Sequence, residues 1–125
     1  MAVEADGSGR VFKTAWFSKA ARKALIEDAE LCSAIKQVMQ GQAIDLGGGV
    51  FKKRLDKNRS RSIILAKSGR LWVFEYLFAK KDRENITNGE LLKFRKLAGV
   101  YETLTGRQLE QLIQEGEWVE ICHDS

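Results

Sequence analysis

Residues 50–79 read VFKKRLDKNRSRSIILAKSGRLWVFEYLFA, and the periodicity of this stretch decides the fold class. Val50 to Leu55 alternates with the two-residue period of a strand: Val50, Lys52 and Arg54 share one side, and Phe51, Lys53 and Leu55 the other. Phe51 and Leu55 suit a core, so Lys52 and Arg54 are expected on the open face. A polar basic loop, Asp56 to Ser60, follows. Ser62 to Lys67 carries the run Ile63-Ile64-Leu65 and reads as a second strand. Ser68-Gly69 supplies two-residue hairpin chemistry, because glycine tolerates positive φ. Leu71 to Ala79 is almost wholly apolar and aromatic, as a central strand covered on both faces would be. The three segments predict an antiparallel meander.

Before the meander the period is helical. Trp16, Phe17, Ala20, Ala21, Ala24 and Leu25 recur as one apolar stripe within Thr14 to Ile26, with Lys19, Arg22 and Lys23 opposite. Asp28 is the expected N-cap of a second helix, whose stripe is Leu31, Ile35, Val38 and Met39. Val11 to Lys13 fits a short first strand. Gly47-Gly48-Gly49 reads as a flexible helix-to-strand connection; it lacks the spacing of a nucleotide-binding glycine loop. After the meander, Thr87 with Glu90, and Thr105 with Gln108, have capping-box spacing and open two further helices. Gly116 is the expected C′ residue of the last, and Trp118 to Ile121 closes the chain as an extended segment. The expected fold is therefore α+β: a small antiparallel sheet with an N-terminal helical hairpin and C-terminal helices packed on one face. Residues 11–125 are expected to form a single domain, and residues 1–10 a disordered leader or expression remnant.

Composition narrows function. The chain has 125 residues, 44% hydrophobic and 30% charged, enough for one compact core. No apolar run approaches the ~20 residues that span a bilayer, and the N-terminus lacks the apolar region of a secretion signal. Cys32 and Cys122 cannot make a disulfide scaffold, so a reducing cytoplasm is the expected compartment. Cys32 is expected as a small core residue and Cys122 in a tail. With His123 the only histidine, metal and triad chemistry have little to work with, and no metal or cofactor is expected.

Charge is uneven. Lys52 to Arg83 contains eleven Lys and Arg against three acids, whereas Glu102 to the C-terminus holds six acids against Arg107 alone. Such an asymmetry fits a polyanion-binding surface in the middle of the chain. Lys52 and Arg54 on the open strand face, Arg61 on the next strand and Lys80 at the exit of the third are expected to converge on one cationic site. Lys53, Lys57, Arg59, Lys81 and Arg83 surround it as candidate polyanion-binding residues. Glu75 interrupts an apolar strand and reads either as a buried ion-pair partner or as a proton-transfer carboxylate. The alternation Trp72, Phe74, Tyr76, Phe78 reads as core against the helices.

LGGGVFKKRLD at 46–56 and YLFAKKDRENI at 76–86, set after two basic-aliphatic helices, resemble the RelE/ParE superfamily of type II toxin–antitoxin toxins. The RelE-like branch is the closest, with the resemblance covering about Val11 to Val100. It implies a small bacterial toxin of this α+β fold, cytoplasmic and silenced by a cognate antitoxin. RelE-type members cut mRNA on the ribosome, whereas ParE-type members inhibit DNA gyrase without cutting RNA. By motif the implied catalytic cluster falls on Lys52, Arg54, Arg61 and Lys80. The tyrosine or histidine that related toxins place near the scissile phosphate has no clear counterpart in Tyr101 or His123, and Glu75 stands where the family usually has an apolar residue.

Residue chemistry agrees with a metal-independent endoribonuclease. RNA supplies its own nucleophile, the 2′-hydroxyl, so the protein needs to align it and to neutralise the phosphorane. One aimed donor is typically worth ~3 kcal/mol. Lys52 is the expected general base, and Arg61 and Lys80 the phosphate-stabilising groups. The alternatives are a gyrase-inhibiting protein module and a basic RNA-binding domain without catalysis.

Overall fold

The computed structural model describes residues 9–123. Ten elements follow in order: β1 (Arg10–Thr14), α1 (Ala15–Lys23), α2 (Asp28–Met39), β2 (Ile44–Gly47), β3 (Val50–Leu55), β4 (Ser60–Lys67), β5 (Leu71–Ala79), α3 (Asn88–Glu102), α4 (Gly106–Gln114) and β6 (Trp118–Ile121). The fold is α+β. One six-stranded sheet has the order β2-β3-β4-β5-β1-β6, antiparallel throughout except where β1 pairs parallel to β5. Among the described residues no helix is long and apolar enough to cross a membrane.

The meander and its hairpin stand where the periodicity puts them. Ser68 and Gly69 both take positive φ, 49° and 70°, closing the β4–β5 turn. Both capping boxes are present: the hydroxyls of Thr87 and Thr105 accept from the backbone N–H of Glu90 and Gln108, whose side chains accept in return. At the start of α2, Glu27 rather than Asp28 is the N-cap, and it makes no side-chain cap bond. Of the predicted leader, residues 1–8 lie outside the described residues. Arg10 belongs to the fold: it opens β1 and pairs with Glu120 at 2.7 Å.

The helices divide between the two faces of the sheet, rather than sharing one. On the first face α1 and α2 bury Phe17, Leu31, Ile35 and Val38 against Leu55, Ile64 and Phe74. On the second, α3 lays Leu91, Phe94, Leu97 and Ala98 over Phe12, Val50, Ile63, Leu65 and Val73, and α4 adds Leu109, Leu112 and Ile113 to the same cluster. The run Ile63-Ile64-Leu65 already requires this, since consecutive strand residues point to opposite faces and all three are fully buried.

Three further features depart from the sequence reading. The triple glycine is a tight hairpin turn: residues 44–47 form the unpredicted strand β2, and Gly47, Gly48 and Gly49 all have positive φ. In β5 the aromatic alternation is broken by a bulge. Ile63 pairs with Tyr76 and Ile64 with Phe74, so Glu75 has no partner of its own. Trp72 and Phe74 therefore pack under α1 and α2, whereas Tyr76 and Phe78 turn to the α3 side. Finally, Cys32 and Cys122 are joined by a disulfide across 90 residues of chain, with Cα atoms 5.4 Å apart. Sheet order is the reason: β6 lies beside β1, and both cysteines border the core under α1 and α2.

Candidate nucleic-acid interface

Lys52, Arg54 and Arg61 project from β3 and β4 on the α3 side of the sheet. Their side-chain parity follows from Val50 and Ile63, which are buried on that side. The helix covers Val50, Ile63 and Leu65 and leaves the cationic end of the strands free of it. Arg54 and Arg61 are direct cross-strand partners. Two like charges placed opposite one another repel, a cost that a bound anion removes.

These residues line one cleft of about 410 Å³, together with Lys53, Gln42, Ala43, Ile44 and Glu84. The cleft forms where the short strand β2 stops. Its register runs only to Ile44 opposite Lys52, so Lys53 to Leu55 have no neighbour on that edge. Gln42 to Ile44 become the far wall. That explains why Lys53, although on the opposite strand face, reaches the same cleft, where its Nζ donates to the Gln42 carbonyl at 2.9 Å. Burial first, and Arg54 beside it second, hold the Lys53 ammonium below the usual lysine range.

Each cation is held differently. Arg61 is buried, and its Nη1 donates to the carbonyls of Asn58 at 3.1 Å and Ser60 at 3.3 Å. This fixes the guanidinium without neutralising it. The Asn58 carbonyl is presented by an unusual loop in which Asp56, Lys57 and Asn58 all have positive φ. Lys52 Nζ donates to Asn85 Oδ1 from the segment before α3. Arg54 is exposed. Among the described ion pairs none involves Lys52, Arg54 or Arg61.

Lys80 does not line this cleft. It borders a neighbouring one of about 770 Å³ with Lys57, Arg59 and Lys81, and Glu84 borders both. Lys80 lies just beyond β5, and its backbone N–H donates to the Arg59 carbonyl. The remaining candidates differ in how free they are. Arg59 pairs with Asp56 at 2.8 Å. Arg83 pairs with Glu90 at 2.6 Å and lies over the rings of Tyr76 and Phe78 at 5.7 and 5.2 Å. Lys57 and Lys81 are exposed.

Glu75 has a neutral partner rather than a cation. It accepts from the Tyr101 hydroxyl at 2.7 Å, under α3. His123 contacts the Glu120 carbonyl at 3.0 Å. Sequence reasoning missed Gln42 to Ile44 as a wall of the cleft and Asn85 as the partner that holds Lys52; the only signal for the former was the glycine turn, which implies a strand before it as well as after.

A family model described as the RelE toxin of the RelE / RelB toxin-antitoxin system matches residues 9–121. The chain belongs to the RelE toxin family. Membership makes it the toxin of a toxin–antitoxin pair and implies a cognate antitoxin as its partner. No curated protein and no solved structure matches this RelE-family chain. The matched span includes every strand of the sheet and all of the basic residues described above.

Proposed function

We propose that this toxin is an mRNA endoribonuclease acting at the ribosome in the bacterial cytoplasm. The observation that carries the reading is the grouping of Lys52, Arg54 and Arg61 around one cleft, with Arg54 directly opposite Arg61 and no acid paired to either among the described residues. Such a site attracts a phosphodiester and stabilises added negative charge. The 2′-oxygen of the substrate attacks the adjacent phosphorus, its proton passing to Lys52 in the neutral form. The bond to the 5′-oxygen breaks and that oxygen takes a proton from water, leaving a 2′,3′-cyclic phosphate and a 5′-hydroxyl. Arg61, aimed by two backbone carbonyls, and Arg54 stabilise the phosphorane.

Proton transfer is the weak step. A site whose proton acceptor is a lysine among arginines, with no histidine or carboxylate to help, needs its substrate strongly aligned. A ribosome holding the mRNA in place supplies that alignment, which supports a ribosome-bound substrate over free RNA. Lys80, from the adjacent cleft, acts on a neighbouring phosphate rather than at the scissile one. Lys53, Lys57 and Lys81 extend the contact to the RNA backbone, with Arg59 and Arg83 contributing less because each is already ion-paired.

The test is Lys52→Ala combined with Arg61→Ala, assayed for growth inhibition and by primer extension on cellular transcripts. Cleavage should fall at least about a hundredfold. Full toxicity in the double variant would remove the site assignment. Toxicity with intact transcripts and accumulating gyrase–DNA complexes would replace the nuclease reading with gyrase inhibition, and salt-sensitive RNA binding without product would leave only a binding domain.

A further inference from the structure

The first helix carries a feature that the cationic cleft does not use. Trp16 falls in the apolar stripe of this helix, yet it is 51% exposed. Phe17 takes the buried position instead. The indole stacks on the Tyr76 ring at 5.1 Å with an interplanar angle of 25°, and Tyr76 packs in turn against Phe94 at 5.9 Å. One ring face is thus braced by a ladder of aromatics, and half of the residue's surface stays open.

Its surroundings are basic. Trp16, Lys19, Ala20 and Lys23 follow the i, i+3, i+4, i+7 spacing of one helix face. Together with Lys81 and Asp82 from beyond β5, they line a groove of about 670 Å³. Three lysines face one acid. The groove also continues toward the catalytic cleft. It shares Ala24, Ser60, Ala79 and Lys81 with the Lys80 cleft, which meets the Lys52–Arg54–Arg61 cleft at Glu84. A path lined by lysines and arginines therefore runs from β3, round the strand ends, to Trp16.

We infer that Trp16 with Lys19 and Lys23 forms a second RNA subsite, in which a base of the same single strand stacks on the indole while the lysines hold its phosphates. Resting on the RNA-binding reading above, the inference names where the strand goes after it leaves the cleavage cleft. Stacking on an aromatic is tolerant of sequence, and flanking cations track the backbone, the combination by which single strands are bound. A rigid ring costs little ordering on binding, and Tyr76 already fixes this one.

The tryptophans provide the readout. Trp72 and Trp118 are buried, at 7% and 4% exposure, so quenching by a ligand at the surface reports Trp16. The probe is a single-stranded 2′-O-methyl oligouridine of about eight nucleotides, which binds but cannot be cut because its 2′-oxygen is blocked. Binding should quench the emission of the wild type. Followed instead by the fluorescence polarisation of a dye-labelled probe, because these variants lack the reporting indole, Trp16→Ala should weaken affinity about tenfold, and Trp16→Phe, which keeps a stacking ring, should recover most of it. Lys19→Ala with Lys23→Ala should reduce the slope of log affinity against log salt by about 1.4, two phosphates at about 0.7 each. Unchanged affinity in Trp16→Ala, or an unchanged salt slope in the lysine variant, overturns the inference whether or not the toxin cuts RNA. Trp16-dependent binding by a protein that yields no cleavage product on ribosomes sustains the subsite and removes only the nuclease reading.

Discussion

The hydroxyl of Tyr101 donates to Glu75 Oε1 at 2.7 Å, joining α3 to the bulge in β5. Burial raises the affinity of Glu75 for a proton above the ordinary glutamate value; the tyrosine's hydrogen bond opposes this only in part. Burial first, and the same carboxylate second, push Tyr101 far up, so its hydroxyl stays protonated and remains a donor.

A carboxyl whose folded pKa is raised contributes stability below its unfolded pKa and loses it as pH rises through the folded one. Wild type should therefore lose stability from about pH 4.5 upward relative to Glu75→Gln, which accepts the same hydrogen bond and does not titrate. Thermal unfolding should show Glu75→Gln with the higher Tm at pH 7 and the two proteins converging near pH 4. Tyr101→Phe should do the opposite. It strips the carboxylate of its donor and should cost about 1–3 kcal/mol in urea unfolding at pH 7.

Arg54 and Arg61 impose a different trade. As direct cross-strand partners of like charge they should destabilise the free toxin by about 0.2–1 kcal/mol. Arg54→Gln should accordingly raise stability in low salt, with the gain shrinking as salt screens the repulsion. The same substitution should weaken RNA binding and slow cleavage. Denaturant unfolding at two ionic strengths, beside a cleavage assay, checks both halves; a variant that loses stability and keeps activity would show that the pair does not repel and does not serve the site.

The Cys32–Cys122 disulfide closes a loop of about ninety residues. In the chain-entropy account a loop of that size is worth roughly 4–5 kcal/mol, acting through the unfolded state. Thiol titration of the native protein should find none reactive before reduction and two after. Reduction, or Cys32→Ser with Cys122→Ser, should lower Tm without abolishing the fold, because both residues also pack against the first-face core. A reducing cytoplasm would hold the toxin in that less stable form.

What the chain discloses about itself depends on how far apart the cooperating residues lie. Alternation along β3 and the i, i+3 spacing of Thr87 with Glu90 are local, and both are legible. Lys52 and Arg54 on one side is a local statement too; that Arg61 sits opposite Arg54 needs only the hairpin register. The bulge at Glu75 is local in position but not in cause. One unpaired residue reverses the facing of Tyr76 and Phe78; Glu75 interrupts the apolar run at that point, but one charged residue does not by itself announce a bulge. Lys80 and the disulfide fail for different reasons. Lys80 lies beyond the last β4–β5 pair, Ser60 with Ala79, where no register fixes its side chain; which sheet edge the C-terminus joins, and with it the disulfide, is settled by the parallel β1–β5 pairing and by β6 docking on β1. The exposure of Trp16 is not legible because a helix stripe gives the apolar face but not how much of it the sheet covers; β5 continues past the end of its pairing with β1, and the indole stacks on Tyr76 there.

Gly49 tests how closely the cleft depends on the hairpin that precedes it. Its φ is +84°, and a Cβ there would lie 3.0 Å from the backbone carbonyl oxygen of Ala66 and 3.4 Å from the Ala98 methyl. The Gly49 carbonyl also accepts from the Ala66 N–H at 2.9 Å, so neither strand can withdraw without losing that bond. Gly49→Ala should cost at least about 2 kcal/mol, combining the left-handed backbone penalty with the steric push. Gly41→Ala is the control. Its φ is +87° with nothing within 4 Å, so only the conformational part, about 1–2 kcal/mol, should remain. Urea unfolding of the two variants separates the terms. Equal losses would mean that β3 and β4 yield at Ala66, and that the strand carrying Lys52 and Arg54 is not pinned by this turn.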